Sequence, residues 1–270
     1  MKNSKFKFLP YGAWIAAFTI LPLLLLIYYA FTNPSGQFTL DNILRMGGYL
    51  DVLLRSLFLA AIATFFCLLI GYPFAYFMSR MSPKNQKTIL LVIMIPMWTS
   101  LLLRTYAWMT LLENNGLINK LLGLIGIGPF RMINTSGAVV LGMVYDFLPF
   151  MILPIYTSMI RIDRSLLEAA SDLSASNFQI LRRVILPLSL SGILSGITMV
   201  FVPAASTFVI SRLLGGGTNL LIGDLIESQF VGNIYNPYFG SALSLLLMVV
   251  ILLIMAVTRH FEKQEEEMLT

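Results

Sequence analysis

Six apolar runs divide this chain, covering residues 9–31, 53–78, 89–112, 137–160, 188–210 and 238–257. Each is close to the roughly 20 residues that a helix needs to cross a bilayer, so the pattern predicts six transmembrane helices. The first run follows Lys2, Lys5 and Lys7. It is too long for the apolar region of a signal peptide and no A-x-A cleavage site follows, so it reads as an uncleaved span. Polar stretches separate the runs. One carries Asp41, Arg45 and Asp51, and a short one carries Arg80, Pro83, Lys84 and Lys87. A longer one passes Asn114-Asn115-Gly116 and Gly128-Pro129, with an apolar piece at 117–127 that is too short to cross. The stretch before the last run opens with Gly215-Gly216-Gly217 and places Asp224 and Glu227 on an amphipathic piece.

The polar stretch at 161–187, RIDRSLLEAASDLSASNFQILRRVILP, differs from the others because it reads as two short helices. Ser165 with Glu168, and Ser176 with Gln179, have the spacing of reciprocal helix caps. Leu166, Ala170 and Leu173 are expected on one side of the first helix, with Arg164, Glu168 and Ser171 on another. Arg182 and Arg183 stand where the negative end of the second helix favours cations, and Pro187 closes the segment. Such a segment between two spans must lie on the membrane surface or dock onto something soluble.

Composition supports an all-α integral membrane protein forming a single domain over residues 1–270. The chain is 57% hydrophobic and 11% charged, with mean hydropathy +0.82. Its net charge of +5 does not point to nucleic acid, because the basic residues gather at the ends of apolar runs. If the ends of the chain lie together, twelve Lys and Arg fall on their side, including Arg80, Lys84, Arg161 and Arg183, against six on the other. The excess predicts cytosolic termini and a cytosolic 161–187 segment. The single Cys67 and single His260 leave no Cys-based or two-histidine metal site. No G-x-x-x-x-G-K loop is present, so any ATP and its Mg would be bound by another chain.

Glu168-Ala169-Ala170 and the later Val184-Ile185-Leu186-Pro187 resemble the EAA loop of bacterial ABC-importer permeases, whose pattern is EAA-x3-G-x9-I-x-L-P. Two positions depart: Ser174 stands at the Gly and Val184 at the first Ile. Serine in a left-handed turn costs roughly 1 kcal/mol relative to Gly. In the family this loop sits in a groove of the cytosolic ATPase, which makes Glu168, Ala169, Ala170, Ser174 and Pro187 the expected coupling residues. An interfacial amphipathic helix with Glu168 as a mere cap is the plainer reading of the triplet alone. Further runs, PMWTSLLLRTYAW (96–108), MVYDFLPFMILPIY (143–156) and LLIGDLIESQF (220–230), are similar to the permeases of spermidine/putrescine importers. The resemblance implies a type I importer permease in the bacterial cytoplasmic membrane. Its partners would be a second homologous permease, an ATPase dimer and an extracytoplasmic polyamine-binding protein.

Polyamines carry several protonated amines, so a path for them needs carboxylates and aromatic faces. Asp146 is the one acidic residue well inside a run. At 1.5 Å per residue it lies roughly 14 Å along its helix, a depth that Trp98 matches from the other side. Asp146, Trp98 and Tyr145 are therefore the expected pathway residues, with Asp224, Glu227, Tyr106 and Trp108 as weaker candidates. Asp146 paired with Arg104 as structural glue, and Asp224 and Glu227 on a solvated loop face, are the alternatives. Pro22, Pro73, Pro96, Pro149, Pro154 and Pro203 lie inside the runs, as expected where helices bend around a path. Gly192-x-x-x-Gly196 with Ser191 and Ser195 forms a small face, suited to packing within the chain or to a subunit seam. A permease for an opine, another amino-acid-like solute or an inorganic ion is the competing function within the class. A secondary transporter would require two inverted halves with matching broken spans, which the sequence lacks.

Overall fold

The computed structural model describes residues 9–217, 219–231 and 234–269; Lys2, Lys5 and Lys7 lie outside them. The described residues form helices α1 (Pro10–Ala30), α2 (Asp41–Ser79), α3 (Pro83–Trp98), α4 (Leu101–Leu112), α5 (Leu117–Leu124) and α6 (Ser136–Met159). Then come α7 (Arg164–Asp172), α8 (Asn177–Leu188), α9 (Leu190–Ser206), α10 (Val209–Gly215), α11 (Ile222–Phe230) and α12 (Pro237–Leu269). Among the described residues there is one isolated bridge, Thr32 to Phe38, and no strand.

Helices α1, α2, α6 and α12 are each long and apolar enough to cross a membrane. Two further crossings require counting bent pairs as one span: α3 with α4–α5, bent by 89°, and α8 with α9, bent by 64°. The third apolar run is therefore a broken element. Pro96 sits in a 3-10 turn, Thr99 and Ser100 are extended, and the Thr99 hydroxyl donates to the Pro96 carbonyl at 2.7 Å. The fifth run also differs from its expected bounds. Its straight part starts after Ser189, and it stops at Ser206, with extended Thr207 leading into α10. The second run is longer than its apolar part, because Asp41, Arg45 and Asp51 belong to the helix that enters it.

Prolines alone do not mark the bends. Pro73, Pro149, Pro154 and Pro203 lie inside unbroken helices. Pro22 and Pro187 each follow a π-turn, Ala16–Ile20 and Leu181–Ile185. In both, the carbonyl four residues before the proline lies within that wider turn, which absorbs the ring clash that would otherwise break the helix.

The core is built on α6, which packs along α2 and α9. Met143, Met151 and Ile155 are fully enclosed with Ala60, Ala63, Cys67, Val200 and Ala204. A Cβ at Gly192 would lie 2.7 Å from the Pro154 carbonyl oxygen, and one at Gly196 would lie 2.8 Å from the Met151 sulfur. The small face of α9 thus packs inside the chain, against α6. A second cluster joins the end of α1 to α11 and α12 through Ala30, Ile222, Phe239 and Leu243. Along α1 and one side of α2, large side chains such as Phe18, Leu24, Phe58 and Phe65 stay exposed, as lipid-facing surfaces do.

Candidate functional site

The segment between α6 and α9 folds as two short helices. Its first cap is Asp163, whose carboxylate accepts the Ser165 N–H at 3.0 Å. This corrects the expected Ser165–Glu168 pair: the helix begins one residue before Ser165, so the serine lies within the first turn and Glu168 is free to project. The same N–H holds the exposed Asp163 carboxyl below the usual carboxylate range. Ser176 and Gln179 do form a reciprocal cap on α8, with bonds of 2.8 and 3.3 Å.

Between the helices Ser174 has φ +60°, the left-handed conformation that suits the glycine of the EAA pattern. The turn is a Schellman motif: the Ala175 N–H donates to the Ala170 carbonyl at 3.2 Å, and the Ser174 N–H to that of Ser171 at 2.8 Å. The apolar residues of α7 divide otherwise than expected. Leu167 and Ala170 pack on the core, while Leu166 and Leu173 point outward. Leu173 is 84% exposed and Phe178, across the turn, 69%. Glu168, Ala169 and Pro187 are exposed. Glu168 lines a cleft of about 610 Å³ with Arg80, Gln86, Arg164 and Asp172. Apolar tips on an otherwise polar, firmly capped segment form a surface suited to a protein partner.

The expected pathway residues fall in three places. Asp146, 3% exposed, faces Arg104 of α4 at 3.2 Å in an ion pair. Trp98 stands at the break before α4, 76% exposed. Tyr145 meets Trp108 edge to face, with ring centroids 5.4 Å apart. Those two rings line an open groove of about 870 Å³ between α2 and α6, walled mostly by apolar groups such as Phe58, Ile62, Phe66, Val144 and Leu148, with Arg55 and Ser136 also on its wall. Tyr106 is exposed on α4.

Asp224 is 2% exposed, which corrects the solvated-face reading for it. Its carboxylate caps α11 by accepting the Leu221 N–H at 2.9 Å. Burial pushes the Asp224 carboxyl up, against the pull of Ser211, Leu221 and Arg212. Glu227 is bonded to Arg212, one contact measuring 3.0 Å. No group of three or more potential metal-ligating side chains occurs among the described residues. Sequence reasoning passed over Gln86 and Tyr156, which bond to each other beside the 610 Å³ cleft. Their seventy-residue separation left no local signal.

Residues 44–266 match the family of binding-protein-dependent transport system inner membrane components. The chain belongs to this family. It is 41% identical over 254 residues to the spermidine/putrescine transport system permease protein PotB of Escherichia coli, covering 90% of this chain and 92% of that one. The Haemophilus influenzae protein of the same name is 40% identical, with 94% and 93% covered. Among solved structures, a bacterial ABC transporter that imports alginate superposes with a TM-score of 0.82 at 18% identity, over 96% of this chain and 94% of that one. The MetNI methionine ABC transporter, in an inward-facing conformation, gives 0.64 at 18% identity, over 82% and 97%. The fold is that of an ABC importer permease, and the protein is a multi-pass component of the inner membrane rather than an enzyme.

Proposed function

We propose that this chain forms half of the pathway of an ATP-driven importer of spermidine and putrescine. The observation that carries this reading is the identity of about 40% with spermidine/putrescine permeases over nine-tenths of both chains. Six crossings with both ends in the cytosol put α7 and α8 where an ATPase can reach them. A second homologous permease closes the groove between α2 and α6, two ATPase copies bind ATP and Mg, and an extracytoplasmic binding protein delivers the cargo.

Within this assembly Glu168, Ala169 and the exposed Leu173 meet the ATPase. Ala170, Ser174 and Pro187 hold the segment's shape. The Tyr145–Trp108 pair offers protonated amines an aromatic wall, each cation–π contact contributing about 0.5–2 kcal/mol. Asp146 already has a resident cation in Arg104, so its first role is to fix α4 to α6. The test is uptake of labelled spermidine and putrescine in cells lacking their own importers. Co-expression of this chain with a partner permease, the ATPase and the binding protein should restore both. Leu173→Glu should abolish uptake and release the ATPase, because it forces an unpaired charge into the contact. Uptake of an amino acid or an inorganic anion, with none of either polyamine, would overturn the cargo assignment.

A further inference from the structure

Beside the cleft described above, one side chain ties three segments together. Gln86, in the first turn of α3, donates through Nε2 to the carbonyls of Ser79 at 3.1 Å and Met81 at 2.9 Å. Those carbonyls belong to the last residue of α2 and to the corner that follows, so Gln86 supplies donors that the end of α2 lacks. Its Oε1 accepts the hydroxyl of Tyr156 at 3.0 Å. Tyr156 is buried in the last turn of α6, eight residues before α7 begins. Both polar atoms of the amide are thereby used, Nε2 in two bonds to the α2–α3 corner and Oε1 in one from α6. The cleft it adjoins has Ser79, Arg80 and Pro83 from the corner, and Arg164, Glu168 and Asp172 from α7.

We propose that Gln86 is a positioning residue for coupling: it makes the α2–α3 corner and the cytosolic end of α6 one rigid body, so a displacement of α7 reaches the corner and the start of α3 together with α6. The body of α2 already packs along α6; without the bond, α7 could carry those two helices while the corner and α3 lag. A half-buried glutamine that served only to finish α2 would not need the tyrosine hydroxyl. The inference rests on the reading of α7–α8 as the ATPase contact.

The test uses the full importer in proteoliposomes and measures spermidine delivered per ATP hydrolysed, together with ATPase retained on the purified complex. Tyr156→Phe removes only the bond between helices, and Gln86→Met removes all three bonds while keeping the side-chain length. Each should raise ATP hydrolysed per spermidine by about three- to tenfold, the net worth of a hydrogen bond expressed as an equilibrium constant. The double variant should be no worse than either single one, and the ATPase should stay bound. A wild-type ratio in Tyr156→Phe overturns the proposal, including the case where Gln86→Met merely lowers the amount of assembled complex. Loss of the ATPase from Tyr156→Phe also overturns it, since the bond would then build the docking surface instead of transmitting through it. If Leu173→Glu keeps its ATPase and its coupling, the ATPase-contact reading itself fails, and that result is independent of either Gln86 variant.

Discussion

Asp146 and Arg104 form a charge pair at 3.2 Å between α4 and α6, in surroundings where neither can find water easily. Removing one partner of a buried pair leaves the other charge unpaired, which costs about 3–5 kcal/mol. Asp146→Asn should therefore reduce the amount of folded permease, and adding Arg104→Met should recover it, as read by size-exclusion chromatography in detergent. If Asp146→Asn assembled normally and lost only polyamine uptake, the carboxylate would be reading cargo and not holding Arg104. The sequence made both readings available because it shows that Asp146 lies deep but not which way it points. Ser174 is the converse case. The position of the EAA glycine was legible by spacing, and the φ of +60° there shows why glycine suits it. Ser174→Gly should stabilise the turn by about 1 kcal/mol, seen as slower amide exchange at Ala175, whose N–H closes the Schellman motif.

At the scale of elements, the lengths and apolar character of α1 and α6 could be read directly, because each is one apolar run with polar ends; α12 starts where expected but continues past its apolar run to Leu269. The breaks could not be read in this way. The run at 89–112 is apolar apart from Arg104 and a few hydroxyl side chains, and its 89° bend comes from extended Thr99 and Ser100 after the Pro96 turn. Five other prolines gave the same local signal without breaking their helices. Tertiary packing decides between them, and packing joins residues far apart in the chain. The small face of α9 was visible, but its partner was not. The close approach of Gly192 to the Pro154 carbonyl identifies that partner as α6. Because the nearest atoms include backbone, no side-chain rotation can make room. Gly192→Val should cost about 1–3 kcal/mol as overpacking, or more if α9 cannot shift. Thermal unfolding of the purified complex checks this, and a wild-type midpoint would mean that α9 slides freely on α6. The same dependence on distant packing hid the groove, since Trp108 and Tyr145 stand on different helices.

For the whole molecule, the arrangement of the site depends on which end of the bundle faces the cytosol. Lys and Arg are twice as frequent on the side of α7 as on the other, an asymmetry that predicts this side to be the cytosolic one. The same side carries Leu173 and Phe178, large apolar tips that would be costly in open solvent unless a protein covers them. The opposite end presents the Asn114–Gly116 turn before α5. Single cysteines should therefore react with a membrane-impermeant maleimide from outside intact cells at Asn115, and only after permeabilisation at Lys84 and Ser171. The native Cys67 gives little background, because its side chain is wholly buried between α2 and α6. Co-expressed ATPase should further protect a cysteine at Leu173 but not one at Lys84 if the contact is centred on the α7–α8 turn. Labelling of Ser171 from outside would invert the bundle, put the capped segment beyond reach of any ATPase, and leave its exposed leucine and phenylalanine facing an extracytoplasmic partner instead.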